Sequence, residues 1–524
     1  MIYYLKKNIF NNLKLGLITI VWAGVNVFSS IVLAWLLDSL INKSWKMFII
    51  WAMVDILCWV VYSLFQTWKD TLKEKIVQKQ LNDIRADILH NITEYKNPDD
   101  VLQNNSEYQS WLINDMNVLR ENGYLQLYGA IESVITILFN SFAIIYFHWS
   151  LLLATILLTF ITYFSPKLFQ KRIDQTTDNY STSMSESLDK VEDYFKGFQI
   201  FYYHHALSYF KSKSLSFFDN TISSRIHLTF YTSFANSISM IVSIISQVTL
   251  FILSGYLIVH SIISVGVIFS IANLSSCIFN YTRGAAYNIV TAKSTAKLLE
   301  KYAKIIPEEN QQTTKAITAF KDKISFNDVK VKFASGKELS IPNFEINKNE
   351  KIAIIGESGA GKTTLIKLLN GEMLHSSGQI FMDDIAYETI EAKSKANLFA
   401  YLNQQPYLLK ESVHNNVFLN KTYDKSVFEK LKNYPTFCFL EKRWTEIVGN
   451  NFSGGQKSRI ALLREWISDK DLFLIDEGTS ALDSANAMEI EKMLLSQPDK
   501  TIIFVTHTLH DETKNMFDKI IRLK

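Results

Sequence analysis

The sequence IAIIGESGAGKTTLIKLLN, residues 352–370, decides the fold of the second half of this chain. Residues 352–355 are four consecutive apolar residues, as in a strand that is buried on both faces. Residues 356–363 then fit the pattern G-x-x-x-x-G-K-[ST], and apolar residues at helical spacing follow from Leu365. A strand, a glycine-rich loop and a helix in this order predict a phosphate-binding P-loop in an α/β domain.

Each part of this loop has a physical role in binding a polyphosphate. Glycine lacks the Cβ atom that would hold the backbone away, and the N–H groups of the loop and of the helix N-terminus bind the anion. We expect Lys362 to reach the β- and γ-phosphates, and the Thr363 hydroxyl to bind Mg²⁺. The predicted phosphate-binding residues are Gly356, Glu357, Ser358, Gly359, Ala360, Gly361, Lys362, Thr363 and Thr364.

Length and composition indicate more than one domain. A chain of 524 residues is expected to form two or three. Its net charge is only +3, with 54 Lys and Arg against 51 Asp and Glu, so charge does not indicate a nucleic-acid partner. The apolar residues form long runs before about residue 290 and short, strand-sized runs after it.

Six of the long apolar runs are close to the ~20 residues that a membrane-spanning helix needs. We predict spanning helices at about residues 16–40, 46–67, 127–147, 151–171, 234–259 and 264–284. The connections after the second and fourth are about 60 residues long. Helical periodicity at 68–95 and 172–195 predicts that the helices continue into the cytoplasm and turn near 97–109 and 196–205.

Lysine and arginine concentrate at the helix ends that join the N-terminus and the two long connections. The positive-inside rule therefore places both termini and both connections in the cytoplasm. The last helix is expected to run on through Lys293, Lys297 and Lys301 before a polar linker. The chain is thus predicted to be a multi-pass protein of the cell membrane.

Four ionisable residues lie in or near the apolar runs: Asp38, Asp55, Glu132 and Arg283. Charged groups are costly in lipid, so they face a bundle interior or a watery cavity. One interpretation is an acid-lined cavity for cationic or zwitterionic cargo. The other is that neighbouring helices or the membrane interface satisfy these groups, which then hold the bundle together.

A second chemical element follows a buried strand. Residues 472–477 read LFLIDE, and parallel strands in open α/β sheets present ligand-binding residues at their carboxyl ends. We expect Asp476 to bind Mg²⁺ and Glu477 to orient the attacking water.

A third element, NFSGGQ at residues 451–456, precedes a helical pattern over 457–466, with Ser453 as the predicted N-cap. Two glycines at a helix N-terminus make another anion site. One nucleotide already has its P-loop, so this second site predicts a head-to-tail pair of chains, each contributing to the nucleotide of the other.

Together with a histidine after the last core strand, these motifs resemble those of ATP-binding cassette (ABC) transporters. Six helices with two long excursions ahead of the cassette resemble an exporter-type half-transporter, and the resemblance covers essentially the whole chain. We therefore expect an α-helical transmembrane domain over residues 1–304, a linker over 305–320 and an α/β cassette over 321–524.

The resemblance implies further site residues. Gln404 matches the glutamine that contacts Mg²⁺, and Asp483 lies in a loop, residues 480–483, that crosses to the other cassette. His507 matches the histidine that contacts the γ-phosphate, and Phe333 the aromatic residue that stacks on adenine. The signature helix start comprises Ser453, Gly454, Gly455 and Gln456. The implied catalytic residues are Glu477, His507 and Lys362.

This chain departs from the family pattern just before the signature. Phe452 stands where the family usually has leucine. Residues 445–451 are shorter than the family's corresponding stretch, which contacts the excursions of the membrane domain.

The resemblance implies an ATPase that exports peptide, lipid or drug-like cargo by alternating access, in a dimer with an identical chain or a paralogue. No Cys/His peptidase segment precedes the first span, so we do not expect a leader-cleaving peptide exporter. Uptake of a metal–chelate complex and an ATP-gated regulatory role are the alternatives.

Overall fold

The computed structural model describes residues 1–95, 98–303, 315–333, 336–357, 359–420, 434–440, 442–468, 470–478, 484–507 and 509–523. Contacts divide the chain into two compact units. The first comprises Met1–Tyr95 and Asn104–Ile306, and the second Lys96–Gln103 and Pro307–Lys524. Most of the predicted linker, residues 305–314, lies outside the described part.

The first unit is helical. Its helices are α1 (Ile2–Lys7), α2 (Ile9–Ile41), α3 (Trp45–Tyr95), α5 (Asn105–Ser110), α6 (Met116–Val118), α7 (Leu125–Phe147), α8 (Trp149–Phe164), α9 (Gln170–Lys196), α10 (Phe198–Tyr203), α11 (Leu207–Ser216), α12 (Asp219–Val259), α13 (Val267–Ser294) and α14 (Ala296–Ala303), while α4 (Pro98–Gln103) belongs to the second unit. Two π-helical stretches flank α6, and a 3₁₀ turn joins α8 to α9.

Within the described residues, five helical segments are long and apolar enough to cross a membrane. They are Ile9–Ile41, Trp45–Glu94, Asn105–Phe147, Trp149–Lys196 and Leu207–Val259. Each contains one of the first five predicted spans. The sixth predicted span falls on α13, whose polar residues Asn273, Asn280 and Arg283 dilute its apolar character. The chain is a multi-pass membrane protein, and six crossings stay a prediction.

The predicted helical extensions are confirmed. Helix α3 has 51 residues, which at 1.5 Å per residue is about 76 Å and far more than the ~30 Å hydrocarbon core. Helix α9 likewise runs to Lys196, where α10 and α11 reverse the chain at the predicted second tip. Asn97, in the predicted first tip, lies outside the described residues.

The prediction for the last helix is wrong. Helix α13 ends at Ser294 instead of continuing through Lys297 and Lys301. Thr295 keeps right-handed helical backbone angles (φ −79°, ψ −11°), so the interruption is a single residue between α13 and α14. A separate short helix, α14, then carries Lys301.

The acidic residues of the bundle are held by neighbouring groups. Asp55 accepts from the Ser29 hydroxyl (2.5 Å), and Asp38 accepts from the backbone N–H of Gly266 (2.8 Å). Glu132 accepts from the buried Lys69 ammonium at 2.6 Å. These contacts favour packing over an acid-lined cavity.

The second unit contains two sheets. Its strands are β1 (Lys323–Lys332), β2 (Glu338–Ser340), β3 (Phe344–Asn347), β4 (Lys351–Ile355), β5 (Ser377–Met382), β6 (Ile385–Ala386), β7 (Phe399–Leu402), β8 (Leu472–Asp476), β9 (Thr501–Thr506) and β10 (Lys519–Arg522). The antiparallel sheet runs β2-β1-β5-β6, with β3 also pairing with β1, and the parallel sheet runs β10-β4-β9-β8-β7. The predicted parallel core at 472–475 and 501–505 is confirmed.

Helices cover both sheets. They are α15 (Lys362–Leu369), α16 (Ala392–Leu398), α17 (Val413–Phe418), α18 (Gly454–Trp466), α19 (Ser484–Leu495) and α20 (Asp511–Lys514). Strands β8 and β4 read as continuous apolar runs because they are buried along almost their whole length.

Candidate functional site

The parallel sheet brings four of the predicted motifs to one edge. Its register pairs Ile355 with Thr506, Asp476 with Val505, and Leu402 with Ile475. The P-loop, Gln404, Glu477 and His507 all follow these strand ends within a few residues. The carboxyl edge of a parallel sheet is where open α/β folds bind ligands.

The lysine of the P-loop donates hydrogen bonds to carbonyl groups of the same loop. Lys362 is 7% exposed, and its Nζ donates to the carbonyl of Gly356 (2.6 Å) and to that of Glu357 (3.3 Å). Gly361 has φ +92°, and a Cβ there would lie 2.4 Å from Leu339 Cδ2. Glycine is therefore needed at Gly361 both for its backbone angle and for the close approach.

Four polar side chains, one of them Lys362, form a chain of hydrogen bonds at this loop. His507 Nδ1 lies 2.9 Å from Lys362 Nζ, and His507 Nε2 lies 2.8 Å from Glu477 Oε1. The tautomer with its proton on Nε2 satisfies both contacts, accepting from the lysine and donating to the glutamate. Gln404 Nε2 donates to the other Glu477 oxygen at 2.7 Å.

Glu477 stands at a special backbone position. Its φ of +47° is left-handed, which is uncommon for a non-glycine residue and is often found at functional sites. Its backbone N–H donates to the Val505 carbonyl at 2.9 Å, which ties this turn to β9. The carboxylate is thereby held just beyond the end of the sheet.

Asp476 is the buried acid of the pair. Burial at the end of β8 raises the pKa of its carboxyl to about 6, and the adjacent Glu477 charge adds to this effect. Lys362 and His507 act in the opposite direction. A desolvated carboxylate of this kind gains from a nearby cation.

A cleft of about 530 Å³ opens over these residues. Its predicted members are Phe333, Glu357, Gly359, Gly361, Lys362, Thr363, Thr364, Gln404, Glu477 and His507. Lys337 and Leu339 also line it, and sequence reasoning missed both. Both residues belong to the hairpin that begins at Phe333, whose N–H donates to the Lys337 carbonyl (2.9 Å). Assigning a hairpin after Phe333 from the sequence would have pointed to them.

The remaining predicted residues lie outside this lining. Gly356 and Ala360 belong to the P-loop itself, and Asp476 is buried at the strand end. Ser358 and Asp483 lie outside the described residues, as does the rest of 479–483. No described lining residue comes from 453–456.

The predicted N-cap of the signature helix is confirmed. Ser453 Oγ accepts from the Gln456 N–H (3.3 Å), and Gln456 Oε1 accepts from the Ser453 N–H (3.0 Å). This reciprocal capping box fixes the first turn of α18. The space beside Gly454 is open, since a Cβ built there meets no atom within 4 Å.

Arg443 organises the residues ahead of that helix, and sequence reasoning missed it. Its guanidinium donates to the Asn451 carbonyl (3.0 Å), to Gln456 Oε1 (3.2 Å) and to Glu446 (2.9 Å). Its charged carbon lies 3.7 Å from the centroid of the buried Phe452 ring. The aromatic residue that departs from the family pattern thus serves as a cation–π partner.

The donor set of the cleft fits a magnesium ion. Thr363, Gln404 and Asp476 offer hydroxyl, amide and carboxylate oxygens, which are the hard ligands that Mg²⁺ prefers. The burial of the Asp476 carboxylate is the structural observation that favours a cation there. When bound, the ion would neutralise charge on the phosphates.

Comparison with known proteins agrees with this architecture. Residues 13–282 match the family described as the ABC transporter transmembrane region, and residues 339–480 match the ABC transporter family. The structure of a bacterial Atm1-family ABC exporter with ATP bound has the same fold, with a TM-score of 0.76 over 99% of this chain and 94% of that chain. The sequence identity is 15%, so this likeness concerns the fold alone.

Curated proteins of similar sequence are named for the transport of different molecules. The lactococcin-A transport/processing ATP-binding protein LcnC of Lactococcus lactis subsp. lactis is 33% identical over 215 residues, which are 39% of this chain. That match spans only 30% of the length of LcnC. The ATP-dependent lipid A-core flippase of Wigglesworthia glossinidia brevipalpis is 26% identical over 71% of this chain and 67% of its own length.

One family match spans more than half of the chain, and a second covers much of the α/β unit. The chain belongs to the ABC transporter family, as a half-transporter in which a transmembrane region is fused ahead of a cassette.

Proposed function

We propose that this chain is half of a dimeric, ATP-driven exporter. The observation that supports it best is the meeting of Lys362, Gln404, Glu477 and His507 in one cleft of a chain that also carries a transmembrane region. In this proposal the transmembrane domain covers residues 1–304, the linker 305–320 and the cassette 321–524.

The cleft would bind and hydrolyse ATP. Phe333 stacks on the adenine ring, and Lys362 exchanges its carbonyl partners for phosphate oxygens, which are stronger, charge-assisted acceptors. Thr363, Gln404 and Asp476 hold Mg²⁺. Glu477 orients the attacking water.

His507 completes the catalytic set in this proposal. It contacts the γ-phosphate, and its bond to Glu477 (2.8 Å) keeps that carboxylate beside the attacking water.

A second copy would complete each nucleotide site. The signature residues Ser453, Gly454, Gly455 and Gln456 form a capped helix start with open space beside Gly454, yet they do not line the cleft of their own chain. A two-fold dimer presents each helix start to the ATP of the partner, with Asp483 in the crossing loop. An identical chain and a paralogue both satisfy this arrangement.

The tip formed by α10 also favours a partner. Ile200, Tyr202 and Tyr203 are 64, 58 and 74% exposed, which is costly for apolar side chains that lie beyond the membrane. The cassette of a second chain would cover them and transmit its movement to the spanning helices.

Transport would follow from closure of the two cassettes. ATP binding closes the dimer and turns the bundle from inward-open to outward-open, and hydrolysis at Glu477 releases it. To switch such an equilibrium almost fully, ATP must favour the closed state by ~5.5 kcal/mol. The chain would work in the cell membrane with both termini in the cytoplasm.

Peptide, lipid and drug-like molecules are the candidate cargoes. Relatives named for lactococcin transport, β-(1→2)glucan export and lipid A-core flipping show that similar chains serve different cargo. The direct test uses inside-out vesicles and a panel of a fluorescent phospholipid, a labelled peptide and a cationic dye.

External ATP should accumulate at least one of these probes if the chain exports. Depletion of a probe from the lumen would show import, and absence of any ATP-driven movement or of probe-stimulated ATPase activity would contradict transport.

A further inference from the structure

A groove lies where four helices of the first unit meet. Residues of α1, α2, α3 and α7 enclose about 290 Å³. Its lining includes the apolar side chains of Leu5, Ile9 and Ile131. Three lysines and one glutamate also line it.

The base of the groove is a buried ion pair. Lys69 is 1% exposed, and its Nζ donates to Glu132 Oε1 at 2.6 Å. Lys73 lies 3.9 Å from the other Glu132 oxygen and 2.9 Å from Asp70 Oδ1. The acids Glu132 and Asp70 therefore offset the charges of Lys69 and Lys73.

Lys6 adds an uncompensated charge at the rim. It is exposed and forms no ion pair with any residue that the structure describes. Of the three lysines that line the groove, Lys69 and Lys73 have acidic partners in Glu132 and Asp70, which leaves the charge of Lys6 without one. An occupant with one negative charge would balance it.

The predicted span boundaries put the groove at the depth of a lipid headgroup. Its lining residues fall within 5–19, 69–73 and 128–132, while the predicted spans begin at 16, end at 67 and begin at 127. The groove therefore straddles the edge of the hydrocarbon layer, with one end among spanning residues and the lysines at the boundary.

We propose that this groove binds one anionic phospholipid. Its phosphate would lie against Lys6 and Lys73, and an acyl chain would lie along Ile9 and Ile131. Basic pockets between spanning helices at the membrane boundary suit lipid headgroups for this reason. The identity of the leaflet rests on the proposed orientation, whereas the binding itself does not.

The test compares two phospholipids with identical acyl chains, phosphatidylglycerol and phosphatidylcholine, bound to the purified full-length chain and counted by native mass spectrometry. The variant is Lys6→Gln/Lys73→Gln, which leaves the buried Lys69–Glu132 pair intact. The matched control is Lys43→Gln/Lys46→Gln, two exposed lysines at the first short hairpin. Thermal melts establish that both variants fold.

A lysine near an anionic headgroup contributes roughly fivefold in affinity, and Asp70 and Glu132 already offset the charge of Lys73, so the wild type should prefer phosphatidylglycerol by at least about fivefold. The Lys6→Gln/Lys73→Gln variant should lose this preference and the control should keep it. An unchanged preference in the variant, or equal loss in the control, would overturn the proposal. Displacement of the lipid by equimolar glycerol 3-phosphate would also overturn it, because a free phosphate would then suffice.

Discussion

The contacts of Arg443 make the signature helix start sensitive to one side chain. In Arg443→Ala, the Asn451 carbonyl and Gln456 Oε1 lose their charged donor, and Phe452 loses its cation. Hydrogen bonds to charged groups contribute about 1.5–3 kcal/mol each and a cation–π contact about 0.5–2 kcal/mol. Because Arg443 is 22% exposed, water weakens these contacts, and we expect their loss to destabilise the ordered helix start by about 3 kcal/mol in total. This free energy corresponds to about a 150-fold change in the population of the ordered helix start.

If that helix start completes the ATP site of a partner, its disorder should lower turnover and not nucleotide binding. We predict that Arg443→Ala lowers kcat for ATP hydrolysis by roughly 10- to 100-fold while the affinity for a fluorescent ATP analogue stays unchanged. Arg443→Lys should recover part of the loss, because it keeps the charge without the planar fork.

The matched control is Arg464→Ala, in the last turn of α18. Arg464 is 21% exposed, much like Arg443, but its guanidinium contacts Glu465 (3.3 Å) and the Tyr407 carbonyl (3.3 Å) instead of residues 446–456. Its loss should leave the helix start ordered, so kcat should stay within about threefold of wild type. Wild-type kcat in Arg443→Ala, or an equal loss in Arg464→Ala, would show that Arg443 does not support turnover through the helix start.

Three further predictions concern the cleft and the bundle. Glu477→Gln should keep ATP binding, abolish hydrolysis and accumulate a closed dimer on size-exclusion chromatography; wild-type turnover would contradict its role. Gly361→Ala should lower ATP affinity about tenfold more than Gly359→Ala, because both glycines have φ near +90° but only Gly361 lies close to Leu339. Adding Leu339→Ala to the Gly361→Ala variant should remove that difference. Glu132→Gln should destabilise the fold by about 3 kcal/mol by leaving Lys69 buried without its partner, whereas Asp55→Asn should change neither melting temperature nor transport; a transport defect at unchanged stability in both would restore the acid-lined cavity.

Much of the cassette was predictable because its chemistry is local in sequence. A buried strand reads as an apolar run, and the residues that follow it must lie at the sheet edge, so the positions of Glu477 and His507 at that edge follow from the order of the sequence, whereas the role of His507 comes from the family resemblance. The capping box at Ser453 is likewise a pattern of three-residue spacing.

Other features depend on tertiary contacts that no periodicity records. Arg443 reaches Asn451 and Gln456 across an irregular stretch, and Leu339 enters the cleft only because a hairpin folds back beside Gly361. In the membrane unit, the hydropathy of α13 is diluted by polar residues, and Thr295 separates α13 from α14 although the helical pattern of the sequence continues across it.

In the proposed dimer, each ATP lies between the cleft of one chain and the signature helix start of the other. This arrangement can be tested by complementation in tagged heterodimers whose chains all carry Glu477→Gln, by counting the ATP retained per dimer. One heterodimer pairs a Lys362→Ala chain with a Gly454→Asp chain. The other pairs a chain that carries both substitutions with a chain that carries neither.

A shared site leaves one intact pairing in the first heterodimer and none in the second. We therefore predict about one retained ATP in the first and none in the second. The reverse result, with ATP retained only in the second heterodimer, would show that each site is complete within one chain and would contradict the account.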